Sequence, residues 1–330
     1  MPSSSSADLA ARLSAQLLAG EKARTPGEVV ERLLAVQAQD FRGMHLAIRA
    51  RTTGLGASDL DRALADRELV VTWANRGTLH LVRAEDQPWL HALTTPQLAT
   101  ANATRLRQEG VSPAAASRGV AVVRRALAGG PQTRSALKAA LESADIPVAG
   151  QALVHVLFLA TLRGVCVRGP VVGKEQAFVL VSDWLPPSRP VDREKALVEL
   201  ARRYLLSHAP ADERDLARWA GIGLGDARTG VAGARVRAVE AAPLPPPVLL
   251  GAFDEVLMGW ASRDLVLAGS ADVVTRNGVF KPIALVRGKA VGTWALPRGR
   301  VVLEPFAPLP ATVRAALDRD AADVERFLAS

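Results

Sequence analysis

The chain has 330 residues, a formal net charge of +8 and an isoelectric point near 10.4. That length is sufficient for two or three compact units, and 49% apolar against 22% charged residues is typical of a globular rather than a disordered protein. A single cysteine, Cys166, excludes a disulfide scaffold, a four-cysteine zinc site and an iron–sulfur cluster.

Arginine accounts for most of the positive charge, with 35 arginines against six lysines. An arginine-rich chain favours a polyanionic partner, but a coding preference for arginine over lysine explains the same count equally well. The excess is uneven: residues 1–110 carry a net charge of +1, residues 111–190 carry +5 and residues 191–330 carry +2. The middle third is therefore the electropositive part of the chain.

The N-terminus lacks a basic region followed by an apolar run, so no signal peptide is predicted. The longest strongly apolar stretch, Ala152–Leu162, is interrupted by His155 and is too short for a membrane span, which predicts a buried helix. Cys166 lies in an apolar strand pattern that predicts an inert core position. The sequence therefore predicts a cytoplasmic protein, associated with the nucleoid if it binds DNA.

A loose repeat organises the chain. Three helix starts share a proline or threonine signal, at 25–28, 131–134 and 210–213. In the first two cases a further helical stretch and an Arg-Gly pair follow, and each pair, at 76–77 and 163–164, opens a predicted strand. The second copy shows two strands, 165–168 and 177–181, around a polar turn. Helix, helix, helix, hairpin is the order of a winged helix.

Three tandem copies would use most of the chain. Together with Pro/Gly-rich linkers at 110–113 and 186–190, the repeat predicts winged-helix units at 1–110, 111–190 and 191–330. The third copy merges into predicted strands at 235–240, 248–253, 265–268, 283–287, 290–294 and 301–304, with a stiff proline crossing at 243–247 and a closing helix over 310–328. The fold class is thus mainly α with β-hairpins (α+β) and a β-rich C-terminal part. Short amphipathic helices also recur in unrelated all-α proteins, which is the alternative to a true repeat.

The stretch TPGEVVERLLAVQAQDFRG over 25–43 contains the most informative pattern. Thr25 and Glu28 form a predicted capping box, and the apolar stripe of the helix that follows places Gln37 where an apolar side chain is expected. Burial of an amide without a partner costs about 1–3 kcal/mol, so Gln37 needs a partner or a role. The side chains of Gln37 and Gln39 can face one cleft only if the helix ends between these two residues. The residues at 40–43 are predicted to form that helix end. The alternative is a structural pair that bonds neighbouring backbone.

Two adjacent carboxylates, Asp254 and Glu255, stand between apolar residues, which predicts that at least one is buried and paired. Glycoside hydrolysis uses two carboxylates, but adjacent residues of an extended chain point in opposite directions. Asp254 is therefore interpreted as a structural or secondary-site acid.

Cationic side chains that could hold phosphates are spread over the whole chain, and each taken singly also suits a solvated surface. The expected DNA contacts are Arg42, Arg49, Arg51, Arg76, His80, Arg298 and Arg300, with further candidates at Arg105, Arg107, Arg124, Arg125, Arg134, Lys138 and Arg168. The helix over 151–163 stands where a recognition helix is expected but is apolar nearly all round, which argues against its insertion into a major groove. The few aromatic residues argue against recognition by base stacking.

Several motifs of other enzyme classes are missing from the sequence. It contains no Gly-x-x-x-x-Gly-Lys phosphate loop and no Gly-x-Ser-x-Gly elbow, and Gly221, Gly223 and Gly225 have the wrong spacing for a dinucleotide fingerprint. The five histidines never fall three to five residues apart, so no zinc pair is predicted. Neither a cofactor nor a metal is expected.

Four segments resemble one family, the AlkZ-like (AlkZ/YcaQ) winged-helix DNA glycosylases, in order and over nearly the whole chain. They are LAVQAQD at 34–40, WANRGTLHLV at 73–82 with AED at 84–86, AFDEVLMGW at 252–260 and FKPIALVRGKAVGTW at 280–294. The resemblance implies tandem winged-helix units that form a concave DNA-binding surface. It also implies cleavage of the N-glycosidic bond of alkylated purines, bulky adducts and, in some members, interstrand cross-links, in repair or in self-resistance of antibiotic producers.

The family's catalytic signature, Gln-x-Gln in one branch, is similar to Gln37-Ala38-Gln39, so the resemblance implies that these two amides are catalytic. N7-alkylguanine and N3-alkyladenine are cationic and leave without a strong acid, so the amides need only position water and stabilise the sugar cation. The resemblance implies a monomeric, cofactor-free enzyme on duplex DNA. A catalytically silent winged-helix DNA-binding protein or regulator is the alternative, and a glycosylase for small lesions only is a third possibility.

Overall fold

The computed structural model describes residues 4–173, 175–187, 191–237, 239–270, 273–275 and 277–330. It divides into two compact units: unit 1 combines Met1–Leu60 with Glu194–Ser330, and unit 2 is Asp61–Arg193. The boundaries predicted at 1–110, 111–190 and 191–330 come from a repeated pattern of helices and hairpins, whereas the two units are defined by compactness. The predicted boundaries therefore stay a prediction. Of the predicted linker at 186–190, residues 188–190 lie outside the described part of the chain.

The first segment of unit 1 is helical, with one short extended piece. Its elements are α1 (Ser4–Ala15), α2 (Pro26–Leu33), β1 (Val36–Gln37), α3 (Phe41–Arg49) and the beginning of α4 (Ala57–Ala65). Thr25 caps α2, because its hydroxyl accepts a hydrogen bond from the Glu28 N–H at 3.1 Å, and the Glu28 carboxylate accepts the Arg24 N–H at 2.7 Å. The predicted helix start is therefore confirmed.

Unit 2 continues with helices on a small antiparallel sheet. Its elements are β2 (Leu69–Trp73), β3 (Leu79–Arg83), α5 (Gln87–Thr94), α6 (Leu98–Gln108), α7 (Pro113–Leu127), α8 (Arg134–Glu142), α9 (Ala152–Leu162), β4 (Cys166–Val172), β5 (Glu175–Leu180) and α10 (Val181–Trp184). Within the unit the strand order is β3-β2-β4-β5, with Val71 paired to Leu81 on one side and to Arg168 on the other.

The segment α7, α8, α9, β4, β5 has the helix, helix, helix, hairpin order predicted for this part of the chain. Helix α9 is the packing helix that its apolar sequence predicts, and its residues join those of α7, α8 and the strands in one core. Strands β4 and β5 are longer than predicted, so the turn between them shortens to 173–174, of which residue 174 is outside the described residues. Cys166 is buried in this core, and burial raises the pKa of its thiol to about 11, as expected of an inert position.

The second segment of unit 1 begins with three helices, α11 (Arg193–His208), α12 (Glu213–Ala220) and α13 (Leu224–Gly233). It then forms β6 (Val248–Leu250), α14 (Glu255–Met258), α15 (Asp264–Leu267), β7 (Ile283–Val286), β8 (Lys289–Ala295), β9 (Val302–Pro305) and α16 (Ala311–Ala329). The strands form an antiparallel meander in the order β6-β7-β8-β9. Leu46 of α3, Trp294 of β8 and Leu317 of α16 share one apolar cluster, which ties the two segments of unit 1 together.

The other two predicted helix starts are confirmed, since the side chains of Thr133 and Asp212 cap α8 and α12. Four of the six predicted C-terminal strands form β6 to β9, and the closing helix is α16. The strand predicted at 265–268 is wrong: α15 forms there, because the Ser262 hydroxyl accepts the Asp264 N–H at 3.1 Å and Val266 turns into the core. The strand predicted at 235–240 is also wrong for its described residues, which have no strand partner.

The expected class, mainly helical with antiparallel hairpins and a β-rich C-terminal part, is confirmed. The tandem winged-helix arrangement and the concave surface stay predictions. Among the described residues, no helix has both the length and the apolar character needed to cross a membrane, and no group of three or more histidine, cysteine and acidic side chains is arranged to hold a metal ion.

Candidate active site

The Gln-x-Gln segment lies between two helices rather than at the end of one. Helix α2 ends at Leu33, and Leu34 follows it with φ 68°, a left-handed conformation that is unusual for leucine. The helix end predicted at 40–43 is therefore wrong, because Asp40 instead begins α3: its carboxylate accepts the Gly43 N–H at 2.5 Å. The motif stands in the extended connection between the two helices.

The two glutamines differ sharply in their surroundings. Gln37 is only 2% exposed, and its side-chain carbonyl accepts the Ala38 N–H at 3.0 Å. Gln39 is exposed, and its amide makes no hydrogen bond with any described residue. Phe41 and Arg42 follow on the exposed side. The segment therefore has one amide built into the protein and one available to a ligand.

Glu255 anchors the buried glutamine, and sequence reasoning did not single it out for this role. It is 1% exposed, and its carboxyl accepts the Gln37 N–H at 2.7 Å and the Trp219 indole N–H at 3.4 Å. The apolar residues around Asp254-Glu255 were the signal that at least one of the two was buried. Its partner lies 218 residues away in sequence, which no local pattern reveals.

Two glycines permit the close approach that brings Glu255 to the motif. A Cβ on Gly43 would collide with the carbonyl oxygen of Ala252, and a Cβ on Gly251 would press against Leu46 of α3. The start of α3 therefore lies directly on the chain that leaves β6. This packing places the first residues of α14 beside the Gln-x-Gln segment.

Asp254 has the contacts of a structural residue. It is fully buried, and its two carboxylate oxygens accept hydrogen bonds of 2.8 Å from the two terminal nitrogens of Arg51, which is also fully buried. Asp254 also caps α14 by accepting the Val256 N–H at 3.0 Å, while Arg51 donates to the backbone and side-chain oxygens of Gln16. Both side chains are thus enclosed and hydrogen-bonded within unit 1, away from solvent.

Of the expected DNA contacts, three are enclosed by the protein. Arg51 is held by Asp254, and Arg49 is 5% exposed and donates to Asp320, Asp323 and the carbonyl of Leu249. His80 is 1% exposed, and burial, followed by the charge of Arg76, lowers its pKa to about 3. We correct these three expectations, because a DNA phosphate needs a cation that it can reach.

The remaining expected contacts are accessible. Arg42 and Arg298 are exposed, Arg76 is half-buried in the turn before β3, and Arg300 is exposed while it pairs with Glu325 at 2.6 Å. Arg76 and Arg298 both adopt left-handed backbone conformations at hairpin turns, with φ of 58° and 53°. These four positions stay predicted DNA contacts.

Glu255→Gln is expected to lower the single-turnover rate of base excision by about 10- to 100-fold. The new amide nitrogen would face either the Gln37 N–H or the Trp219 indole N–H, both of which are donors, and would displace the Gln-x-Gln segment by a fraction of an ångström. Duplex affinity should not change. Excision rate and duplex affinity measured side by side separate this positioning role from a general loss of structure. Asp264→Asn, an exposed acid of the same segment, is the control; an equal effect of both variants would contradict the role given to Glu255.

A fall in pH from 7 to 5 is expected to destabilise the fold through its buried histidines. Burial lowers the pKa of His80 and of His208 to about 3, against about 6.5 when unfolded, so the unfolded chain binds more protons below pH 6.5. The contribution of the two neutral histidines to the free energy of unfolding is fully present above pH 6.5 and declines toward pH 3. At pH 5 the loss is up to about 2 kcal/mol per histidine. Urea unfolding at both pH values measures it, and an undiminished pH dependence in His80→Asn and His208→Asn would refute the assignment.

With this geometry in place, comparisons with known proteins identify the family. A family model described as DNA glycosylase AlkZ-like matches residues 30–327. The chain belongs to the AlkZ-like DNA glycosylase family. A curated relative from Streptomyces sahachiroi, named interstrand DNA cross-link repair glycosylase, is 28% identical over 96% of this chain and 94% of its own length. The solved structure of Streptomyces sahachiroi DNA glycosylase AlkZ has a TM-score of 0.76 at 26% identity and covers 99% of this chain and 97% of that one.

Membership of the AlkZ-like family confirms the resemblance read from the sequence, and with it the enzyme class: the chain is a DNA glycosylase. The similarity in structure extends over both units, so the mixed fold described above is the fold of that relative. The family does not favour the silent DNA-binding alternative.

Proposed function

We propose that this chain hydrolyses the N-glycosidic bond of alkylated purines, N7-alkylguanine and N3-alkyladenine, in duplex DNA. The observation that carries the proposal is the placement of the two glutamines: the backbone of buried Gln37 is held by Glu255, while Gln39 is exposed and makes no hydrogen bond with the described residues. A fixed polar group beside an available one suits a site that must hold a water molecule against a reacting sugar.

The chemistry asks little of the protein beyond positioning. As the bond between C1′ and the base nitrogen breaks, its electron pair neutralises the positive charge of the alkylated base. The sugar develops oxocarbenium character, a water oxygen bonds to C1′, and its proton passes to solvent. In this proposal the exposed amide oxygen of Gln39 orients that water and stabilises the transient cation, while the buried Gln37 fixes the position of the segment, so no carboxylic acid is needed to protonate the leaving group.

The relative from Streptomyces sahachiroi is named for interstrand cross-link repair, and it matches this chain over nearly its full length. We therefore extend the proposal to bulky adducts and to the unhooking of cross-links, in base excision repair or in protection of a producer from its own alkylating product. A monomer of three tandem winged-helix units, 1–110, 111–190 and 191–330, is proposed to carry this activity, with accessible arginines such as Arg42 and Arg298 on DNA phosphates.

The test is excision from defined duplexes that carry N7-methylguanine, a bulky N7 adduct or an N7-linked interstrand cross-link. Abasic sites are converted to strand breaks by alkali and quantified. Release from the first two substrates supports the proposal, and release from the cross-link supports the extension. Tight binding to a defined sequence with no base released from any substrate would favour a silent regulator instead.

A further inference from the structure

A cavity of about 620 Å³ lies entirely within unit 2, between α8, the beginning of α9 and the β4–β5 hairpin. Among the described residues, three cationic side chains and one acid, Glu175, line it. The three cations are Arg134, Lys138 and Arg168. All were candidates for phosphate contact in the electropositive middle of the sequence, and the fold brings these three to one place.

Arg168 is held in the wall without an acidic partner. Its guanidinium lies over the rings of Trp73 and Phe178, 5.0 and 5.1 Å from their centres, and makes no ion pair with the described part of the chain. Its Nε is buried and has no acceptor among the described residues. The aromatic rings fix the plane of the guanidinium, so its donors are pre-oriented for a ligand.

A second buried donor in the same wall is also unsatisfied. The side-chain nitrogen of Gln176, on β5, has no hydrogen-bond acceptor among the described residues. Buried donors are nearly always paired in native proteins, and two orphaned donors in one cavity indicate that a ligand with several acceptor oxygens belongs there.

Positive charge exceeds negative charge among the described lining residues, with three cations against Glu175. Burial, and then the like charge of Arg134, lowers the pKa of Arg168 to about 10, which leaves it cationic at neutral pH. Lys138 has only a long, exposed contact of 3.6 Å with Glu142, so its charge remains available to the cavity. An anion would relieve both the repulsion between the cations and the missing acceptors.

We propose that this cavity binds a phosphate group, with Arg168 and Gln176 as hydrogen-bond donors and Arg134 and Lys138 as supporting charges. A guanidinium that offers several N–H groups in one plane matches the oxygens of a phosphate. A backbone phosphate of the DNA substrate is the source that the enzyme class favours, and this part rests on the proposed function. A free phosphate is the other source of the same chemistry.

The DNA source is tested by titrating the full chain with a short undamaged duplex at several salt concentrations and following fluorescence anisotropy. Arg168→Gln is expected to weaken binding by about 3- to 10-fold near 0.1 M salt and to reduce the slope of log K against log salt by about one. Lys138→Gln should act in the same direction, and because it is exposed it keeps the test valid if the Arg168 variant folds poorly. Arg118→Gln, an exposed arginine of the same unit outside the cavity, is the matched control.

Inorganic phosphate, titrated calorimetrically into the wild type and the same variants, tests the other source. Saturable binding that Arg168→Gln abolishes, with unaltered duplex affinity, would support the phosphate site and assign it to a free phosphate. If the Arg168 and Lys138 variants match Arg118→Gln in both titrations, the proposal is overturned. Neither titration measures base excision, so the two proposals can fail separately. Binding that depends on Arg168 and Lys138 in an enzyme without excision would refute only the proposed function, and excision with no such dependence would refute only the phosphate site.

Discussion

Replacement of both Gln37 and Gln39 by alanine is expected to reduce single-turnover excision of N7-methylguanine by at least about 100-fold, the scale of loss when a pre-organised polar group is removed from a reacting centre. The reason is that the variant removes both amides of the segment: the exposed one that is proposed to hold the water and the buried one beside it, with only the apolar Ala38 between them. Alkali-induced cleavage of a labelled duplex measures the rate.

The control for this double variant is Gln108→Ala, which removes an exposed glutamine from α6 in unit 2. It should excise at the wild-type rate. Duplex affinity should be unchanged in all three proteins, since amides contribute little to the electrostatic attraction of DNA. Excision by the double variant at the wild-type rate would remove the glutamines from the mechanism.

Asp254→Asn is expected to lower the free energy of unfolding by about 3–5 kcal/mol, because it leaves the fully buried Arg51 cation without its carboxylate. The loss of a buried charge partner is among the most costly single substitutions, and it should lower the melting temperature by roughly 10 °C in a unit of this size. Calorimetry measures both quantities.

The matched control is the exposed ion pair of the same unit, Arg300 with Glu325, in which the Arg300 side chain is 80% exposed. Arg300→Gln should lower the free energy of unfolding far less, because solvent screens an exposed pair. A loss for Asp254→Asn no larger than that of the control would contradict the structural role of Asp254 and reopen it as a functional acid.

Local signals in the sequence predicted local features. The helix starts at Thr25, Thr133 and Asp212 follow from side chains that cap the next few N–H groups, so each was predictable from a few residues. The end of α2 was not, because Leu34 takes a left-handed conformation that its residue type does not announce. That single turn moved the Gln-x-Gln segment from a helix to an extended connection.

Features that depend on partners distant in sequence could not be predicted from local patterns. Arg49 and Arg51 were predicted to contact DNA because arginine side chains are usually accessible. In the structure they are buried and paired with carboxylates that are 203 to 274 residues away in sequence. The link from Gln37 to Glu255 likewise exists only in the folded chain. The spacing of Gln37 and Gln39 left open whether they are catalytic or structural. The resemblance to the AlkZ-like family, which spans nearly the whole chain, supplied the enzyme class.

Because Gln39 is exposed, its substitution tests the proposed role of the Gln-x-Gln segment in hydrolysis with the least effect on the fold. Since its side chain makes no hydrogen bond within the described chain, Gln39→Ala should melt at the wild-type temperature and bind duplex DNA with wild-type affinity. Its single-turnover excision of N7-methylguanine is predicted to fall by at least about 10-fold. A wild-type excision rate in this variant would show that Gln39 takes no part in the hydrolysis.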